Sequence, residues 1–358
     1  MRTKSLIRWL DATVAAVAVA VVIGGITRLT ESGLSITEWK PVSGVLPPLN
    51  PADWAAAYAS FLQIPQAQTV HLGITLDAFK AIFWWEWVHR LMARVVGLVL
   101  AVPFFWFWAR GQIPAVLRNR LASLPLLVVA QGALGWYMVS SGLSVRSNVS
   151  QYRLVAHLAL ALVILVVALW TSATLRRGAN SGANAGANAA ANSAANSIAN
   201  SASSARLPWG PVAEAFAVWV FAVILSGGFV AGLRAGKIYN TFPLMGGHVV
   251  PPGYWQLTGF FTNAFENPAA AQFHHRVLAL ITVFAAIAFW LWASVAPAPP
   301  RVVTALRNVA LVACVQVALG VATLLLAVPV AIAALHQLTA VALLGAAVLA
   351  AHAARRRT

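Results

Sequence analysis

Eight apolar runs, each about long enough to cross a bilayer, leave this chain few ways to fold. They fall at about 9–27, 83–108, 119–140, 154–175, 211–233, 273–295, 302–325 and 328–352, each near the ~20 residues of a spanning helix. Backbone groups in hydrocarbon have no water to bond, so such runs predict helices rather than loops or open strands. A chain that is 60% hydrophobic and 9% charged is not an ordinary soluble globule. The expected fold class is therefore an all-α polytopic membrane protein with eight transmembrane helices. Arg2, Lys4 and Arg8 before the first run imitate a signal peptide, with Ala18 and Ala20 as cleavage-site residues. The run continues to about Ile26, which favours a retained first helix.

The net charge of +16 lies in the gaps between these runs. It does not form the basic face interleaved with aromatics that nucleic acid requires, so no nucleic-acid partner is expected. Even-numbered spans put both termini on one side. Arg110, Arg118, Arg120, Arg176, Arg177, Arg206, Arg301, Arg307 and Arg355 to Arg357 fall on that same side, which the positive-inside rule makes cytoplasmic. The outer loops are longer and of mixed charge, and Trp84, Trp85 and Trp87 fit an aromatic belt. Cys314 is the only cysteine, so disulfide, Cys-x-x-Cys and zinc-cluster chemistry is not expected.

Residues 178–205 are a tract of Ala, Asn, Ser and Gly that reads as a flexible cytoplasmic linker. It divides the chain into an N-terminal half, 1–177, and a C-terminal half, 206–358. The halves repeat one order of features. Gly24-Gly25 or Gly227-Gly228 closes a helix, and a loop with Trp39-Lys40-Pro41 or Tyr239 to Pro243 follows. Glu86 to Arg90 or Gln272 to Arg276 comes next, then Gln131 to Gly135 or Gln316 to Gly320, then a last helix with one more histidine. Both halves enter the membrane in one direction, giving a parallel repeat of two pseudo-symmetric four-helix bundles.

His89 and His157 in one half, and His275 and His336 in the other, recur in this frame. His89, His157 and His275 are expected in the first turns of their helices and His336 about two turns in, all toward the outer leaflet. An ionisable group within a span is costly unless functional. Two imidazoles from different helices of a bundle can meet one point, which suits a haem iron with two axial histidines. Any one of them alone would read as a histidine bonded to a neighbouring helix; four in a repeat read as ligands. His71, His248, His352 and His274 do not share the pattern and read as non-ligands.

Glu86 lies three residues before His89, on the same helix face, whereas the second half has Gln272, which cannot carry a proton. Two readings stand for Glu86: a buried general acid/base, or a carboxylate paired with Arg90 or Arg94. Two also stand for Arg90 and Arg276: contact with haem propionates, or snorkelling to the interface. Gly24, Gly25, Gly132, Gly135, Gly227 and Gly228 allow close approach of a helix or a porphyrin.

With these residues in view, the chain resembles the haem A synthases over nearly its whole length apart from the linker and extreme termini. The resemblance is carried by Gly24 to Ser35, Trp39-Lys40-Pro41, Phe83 to Arg90 and Gln272 to Arg276. Lacking a cysteine pair in the first outer loop, it is similar to the mitochondrial and alphaproteobacterial branch. The resemblance implies an oxidoreductase of the cell inner membrane, acting in cytochrome oxidase assembly, that oxidises a ring methyl of haem O to the formyl group of haem A. His89 and His157 then flank the substrate haem, with Glu86 assisting proton transfer. His275 and His336 ligate a permanent haem b that passes electrons to an acceptor in the membrane. Haem O arrives from haem O synthase, a protohaem farnesyltransferase. Whether the chain forms a homo-oligomer is left open. Rival readings are a di-haem cytochrome that oxidises quinol, and a haem transporter or chaperone; the latter is disfavoured by histidines confined to one side.

Overall fold

The computed structural model describes residues 2–144, 146–187 and 209–355. Eight helices among them are long and apolar enough to cross a membrane, so the chain is a multi-pass membrane protein. They are α1 (Arg2–Leu29), α2 (Leu76–Ala109), α3 (Arg118–Ser140), α4 (Gln151–Ala187), α5 (Trp209–Gly232), α6 (Pro268–Val295), α7 (Pro300–Leu325) and α8 (Val330–Ala354). Extended pairing among the described residues is limited to an isolated bridge between Met245 and His248.

Local chemistry sets the helix ends. Thr75 caps α2 by accepting from the Ala78 amide, and Asn267 caps α6 by accepting from Ala269. Pro268 and Pro300 open α6 and α7 at positions where a missing N–H costs nothing. Two expectations change. Helix α2 begins at Leu76 rather than 83, because Phe79 and Phe83 bury into a small core with Leu34, Phe61, Ile64 and Ala67. His89 is therefore well inside its helix, not in its first turns. Helix α4 continues to Ala187, into the tract read as a linker, where alanine sustains helix; residues 188–205 of that tract lie outside the described residues.

Helix α1 packs on α2 and α4, with α3 against both of the latter; α5 packs on α6 and α8, with α7 against both of those. Contacts of α4 with α5 and α8, and of α1 with α8, join the two sets. Two ends can be distinguished: one bears the long loops 30–75 and 233–267, the other bears the short connections and the N-terminus. The main apolar core, including Leu10, Leu100, Leu121, Leu165, Val309 and Leu344, belongs wholly to the short-loop end. It stops about one to two helical turns short of the four histidines, which all lie toward the long-loop end.

Candidate functional site

Each of the four histidines sits against a glycine of the helix that precedes its own among the eight. A Cβ on Gly24 would come 2.8 Å from His89 Cε1, and one on Gly135 would come 2.9 Å from His157 Cε1. The second half repeats this, with Gly227 at 3.0 Å from His275 and Gly320 at 2.9 Å from His336. Only a residue without a side chain lets the imidazole lie this close to the neighbouring backbone. The seats of each half lie on packed helices, α1 beside α2 and α4 with α3 against both, and α5 beside α6 and α8 with α7 against both, so both histidines of a half face into one four-helix set. The adjacent glycines serve the boundary between the halves: Gly25 lies under Gln337 of α8, and Gly228 under Val155 and Leu158 of α4.

The imidazoles differ in how they are held. In the second half His275 Nδ1 is 2.8 Å from Ser226 Oγ, and His336 Nδ1 is 3.2 Å from the Gln316 carbonyl. In the first half neither Nδ1 has a close hydrogen-bond partner, but the Ala20 carbonyl acts on the His89 ring as an acceptor and His157 has no such group. Gln131 and Gln316 repeat one arrangement, with Nε2 3.3 Å from Nε2 of His157 and of His336 respectively, and each leaves its Oε1 buried and unpartnered.

Glu86 is buried, and four donors reach its two oxygens. Oε2 accepts from Ser35 Oγ at 2.7 Å and the Ile36 amide at 2.8 Å; Oε1 accepts from Arg90 Nε at 3.0 Å and Nη2 at 2.6 Å. Of the two readings for Glu86, pairing with Arg90 is the one observed. The serine and the loop amide escaped the sequence reading; the only signal was the place of Ser35 at the end of the Gly24 to Ser35 motif, with Ile36 just after it. The arginines also make contacts that neither expectation included. Arg90 also donates to the carbonyls of Ile36 and Glu38, and Arg276 to those of Tyr239 and Thr241. Arg94 holds Lys40 and Pro41 in the same way. These cations clamp the loop after the preceding helix because its turn carbonyls need donors. Gln272 reaches the Tyr239 carbonyl, leaving its Oε1 and Arg276 Nε buried and unpartnered.

The remaining histidines have other company. His71 Nε2 lies 3.4 Å from the Glu31 carbonyl, His274 Nε2 is 2.7 Å from Tyr254 Oη, and His352 is held by Thr174 and Arg177. His248 joins the bridge with Met245 through its backbone. Gly132, expected to permit close approach, faces open space.

Paired imidazoles, glycine seats and unpartnered buried polar atoms lie together beyond the end of the apolar core in each half. Donors of this kind suit iron held by two neutral imidazoles. The family model described as cytochrome oxidase assembly protein matches residues 7–348. A haem A synthase of Maricaulis maris is 44% identical, over 99% of this chain and 97% of the relative. Those of Nitrosospira multiformis and Rhizobium meliloti are 41% and 42% identical, over 99% and 97% of this chain and 94% and 89% of their own lengths.

Proposed function

The chain belongs to the family of cytochrome oxidase assembly proteins, and from that premise we propose that it is an oxidoreductase making haem A from haem O. The observation that carries this reading is the fourfold seating of histidine on glycine, in one pair per half. His89 and His157 hold the substrate, haem O, and its ring methyl is oxidised to a formyl group, which takes up one oxygen at the level of water and releases four electrons and four protons. His275 and His336 would hold a permanent haem b, which would supply a redox centre between the substrate and an electron acceptor in the membrane.

Two asymmetries support this division. Ligating histidines are usually oriented by a bond from the second ring nitrogen; His275 and His336 have that bond and His89 has the Ala20 carbonyl as an acceptor, whereas Nδ1 of His157 has none. The pair with one unheld ring suits an exchangeable haem better than the fully held pair does. The second asymmetry is Glu86 against Gln272. Glu86 Oε2, one hydrogen bond from the Ser35 hydroxyl, is the atom we assign to receive a proton as the methyl is oxidised. The matching glutamine offers no such atom. Arg90 and Arg276 position the loops beside the two sites and are the cations that would meet haem propionates there.

The positive charge of the loops supports a reading with the termini in the cytoplasm and both haem sites on the periplasmic side of the inner membrane. Haem O synthase hands over the substrate. The test is extraction and mass analysis of haems from cells supplied with haem O, comparing wild type with Glu86→Gln. Haem A from the wild type, with its loss and retention of haem b in the variant, is expected. Haem O unchanged in both removes the enzymatic reading and leaves a di-haem electron carrier.

A further inference from the structure

Arg90, Arg94 and Arg276 direct their terminal nitrogens to loop carbonyls or, for Arg90, also to Glu86. Two other arginines at the long-loop end are placed differently. Arg28 lies four residues after Gly24, on the same face of α1 and one turn outward from the seat of His89. Its Nη2 reaches across to the Gly232 carbonyl at 3.2 Å. From the other half, Arg234 Nη2 donates to Asn148 Oδ1 at 2.5 Å and pairs with Glu31 Oε2 at 2.9 Å. Arg28 and Arg234 are close enough to repel each other, and Glu31 is the carboxylate acting on Arg28. One carboxylate, paired with Arg234, thus stands against two neighbouring guanidinium groups, and the Nε of each is buried without a partner.

Backbone geometry marks the same place. Glu31 and Arg234, the ion pair across the boundary, have φ of 56° and 55°. Non-glycine residues hold this left-handed conformation only where the surroundings over-determine it. A surplus positive charge with two unused buried donors is matched by a carboxylate, which accepts from guanidinium nitrogens in a charge-assisted pair.

On the reading that His89 and His157 hold haem O, we propose that Arg28 and Arg234 form an anion site at the boundary between the halves that takes a propionate of that haem. The site ties orientation of the substrate to the contact between halves, because one cation comes from each. Glu31 is a competing internal carboxylate that keeps the arginines placed before the substrate arrives.

The test uses full-length protein retaining its second-half haem, titrated with haem O and with its dimethyl ester, in which both propionates are masked. The spectrum of the resident haem reports that each variant is folded. Wild type is expected to bind haem O about tenfold or more tighter than the diester. Arg28→Gln and Arg234→Gln should lose that preference, while Glu31→Gln should keep or widen it. Loss of the preference in Glu31→Gln as well, or its persistence in both arginine variants, overturns the site and leaves an inter-half clamp. Acetate added with the diester tests a free anion; if it restores tight binding, the anion is not the porphyrin's own and the assignment fails. Equal binding of both porphyrins by the wild type sinks the propionate site alone, whereas no binding of either sinks the paired-histidine reading beneath it.

Discussion

A glycine seat under a metal ligand makes a specific demand at the scale of single residues. Adding a methyl at Gly227 would put Cβ 3.0 Å from His275 Cε1, and at Gly320 2.9 Å from His336 Cε1. An unligated imidazole can swing aside from such a contact; one fixed to iron cannot. Gly227→Ala and Gly320→Ala should therefore lose haem b while helix content stays unchanged, measured as haem absorbance per protein beside circular dichroism. Gly24→Ala and Gly135→Ala should keep haem b and weaken haem O uptake. Full haem b in the first pair of variants would argue that those histidines are not ligands. The histidines and glycines were legible in the sequence because they recur in a fixed order, but which glycine met which imidazole was not. That depends on rotation of one helix against another, which apolar runs do not encode. The split between Gly24 and Gly25, one facing His89 and the other Gln337, is a case in point.

The spans of the elements followed from apolar length, and their outward extensions did not. The stretch before 83 is too mixed in charge and polarity to read as membrane helix, yet α2 starts at Leu76 because Phe79 packs on Phe61 with ring centroids 5.1 Å apart. Helices Pro51–Leu62 and Pro65–Thr69 complete that unit. It sits over the first-half site and includes Leu34, adjacent to the serine on Glu86. Phe79→Ala should cost about 3–5 kcal/mol locally and make residues 30–75 protease-sensitive while the spanning core remains intact. Resistance equal to wild type would show that the loops are held by Arg90 and Arg94 alone. Two spanning helices, α2 and α3, carry a proline beyond the first turn, Pro103 and Pro125, and α3 packs less closely on its neighbours than α7 does. If the first-half haem is the one exchanged, this seam is where that half has freedom to open. Gly97 and Val128 face each other across it, at 3.9 Å from a built Cβ to Val128 Cγ1. A disulfide in Gly97→Cys/Val128→Cys, with Cys314→Ala, should block haem O uptake reversibly and spare haem b; unchanged uptake by the oxidised form would show that exchange does not need the seam.

At the scale of the whole molecule, the repeat was readable because two halves carry one order of motifs, but the surface joining them was not. Its contacts run from each half to the last helix of the other: Gly25 lies against Gln337, next to His336, as its counterpart Gly228 lies against Leu158, next to His157, while Gly232 meets Gln151. Polar links close both ends. Arg234 bonds Glu31 and Asn148 at the long-loop end, and at the other Thr174 and Arg177 of α4 meet His352 of α8. Small residues let these helices approach closely, and van der Waals contact with interhelical hydrogen bonds is what holds helices together in lipid. All of these named contacts are made within residues 25–177 and 228–352. Cutting the chain at a protease site placed within 188–205 should therefore leave the halves together, co-eluting in mild detergent with haem b retained. Gly25→Leu tests the cause: a Cβ there already falls 1.5 Å from Gln337 Oε1, so Gln337 must leave its bond to the Val21 carbonyl at 2.9 Å. The cut variant should separate under conditions where the cut wild type does not. Separation of the cut wild type itself would mean that covalent continuity, and not the α1, α4, α5 and α8 surface, holds the two sites in one molecule.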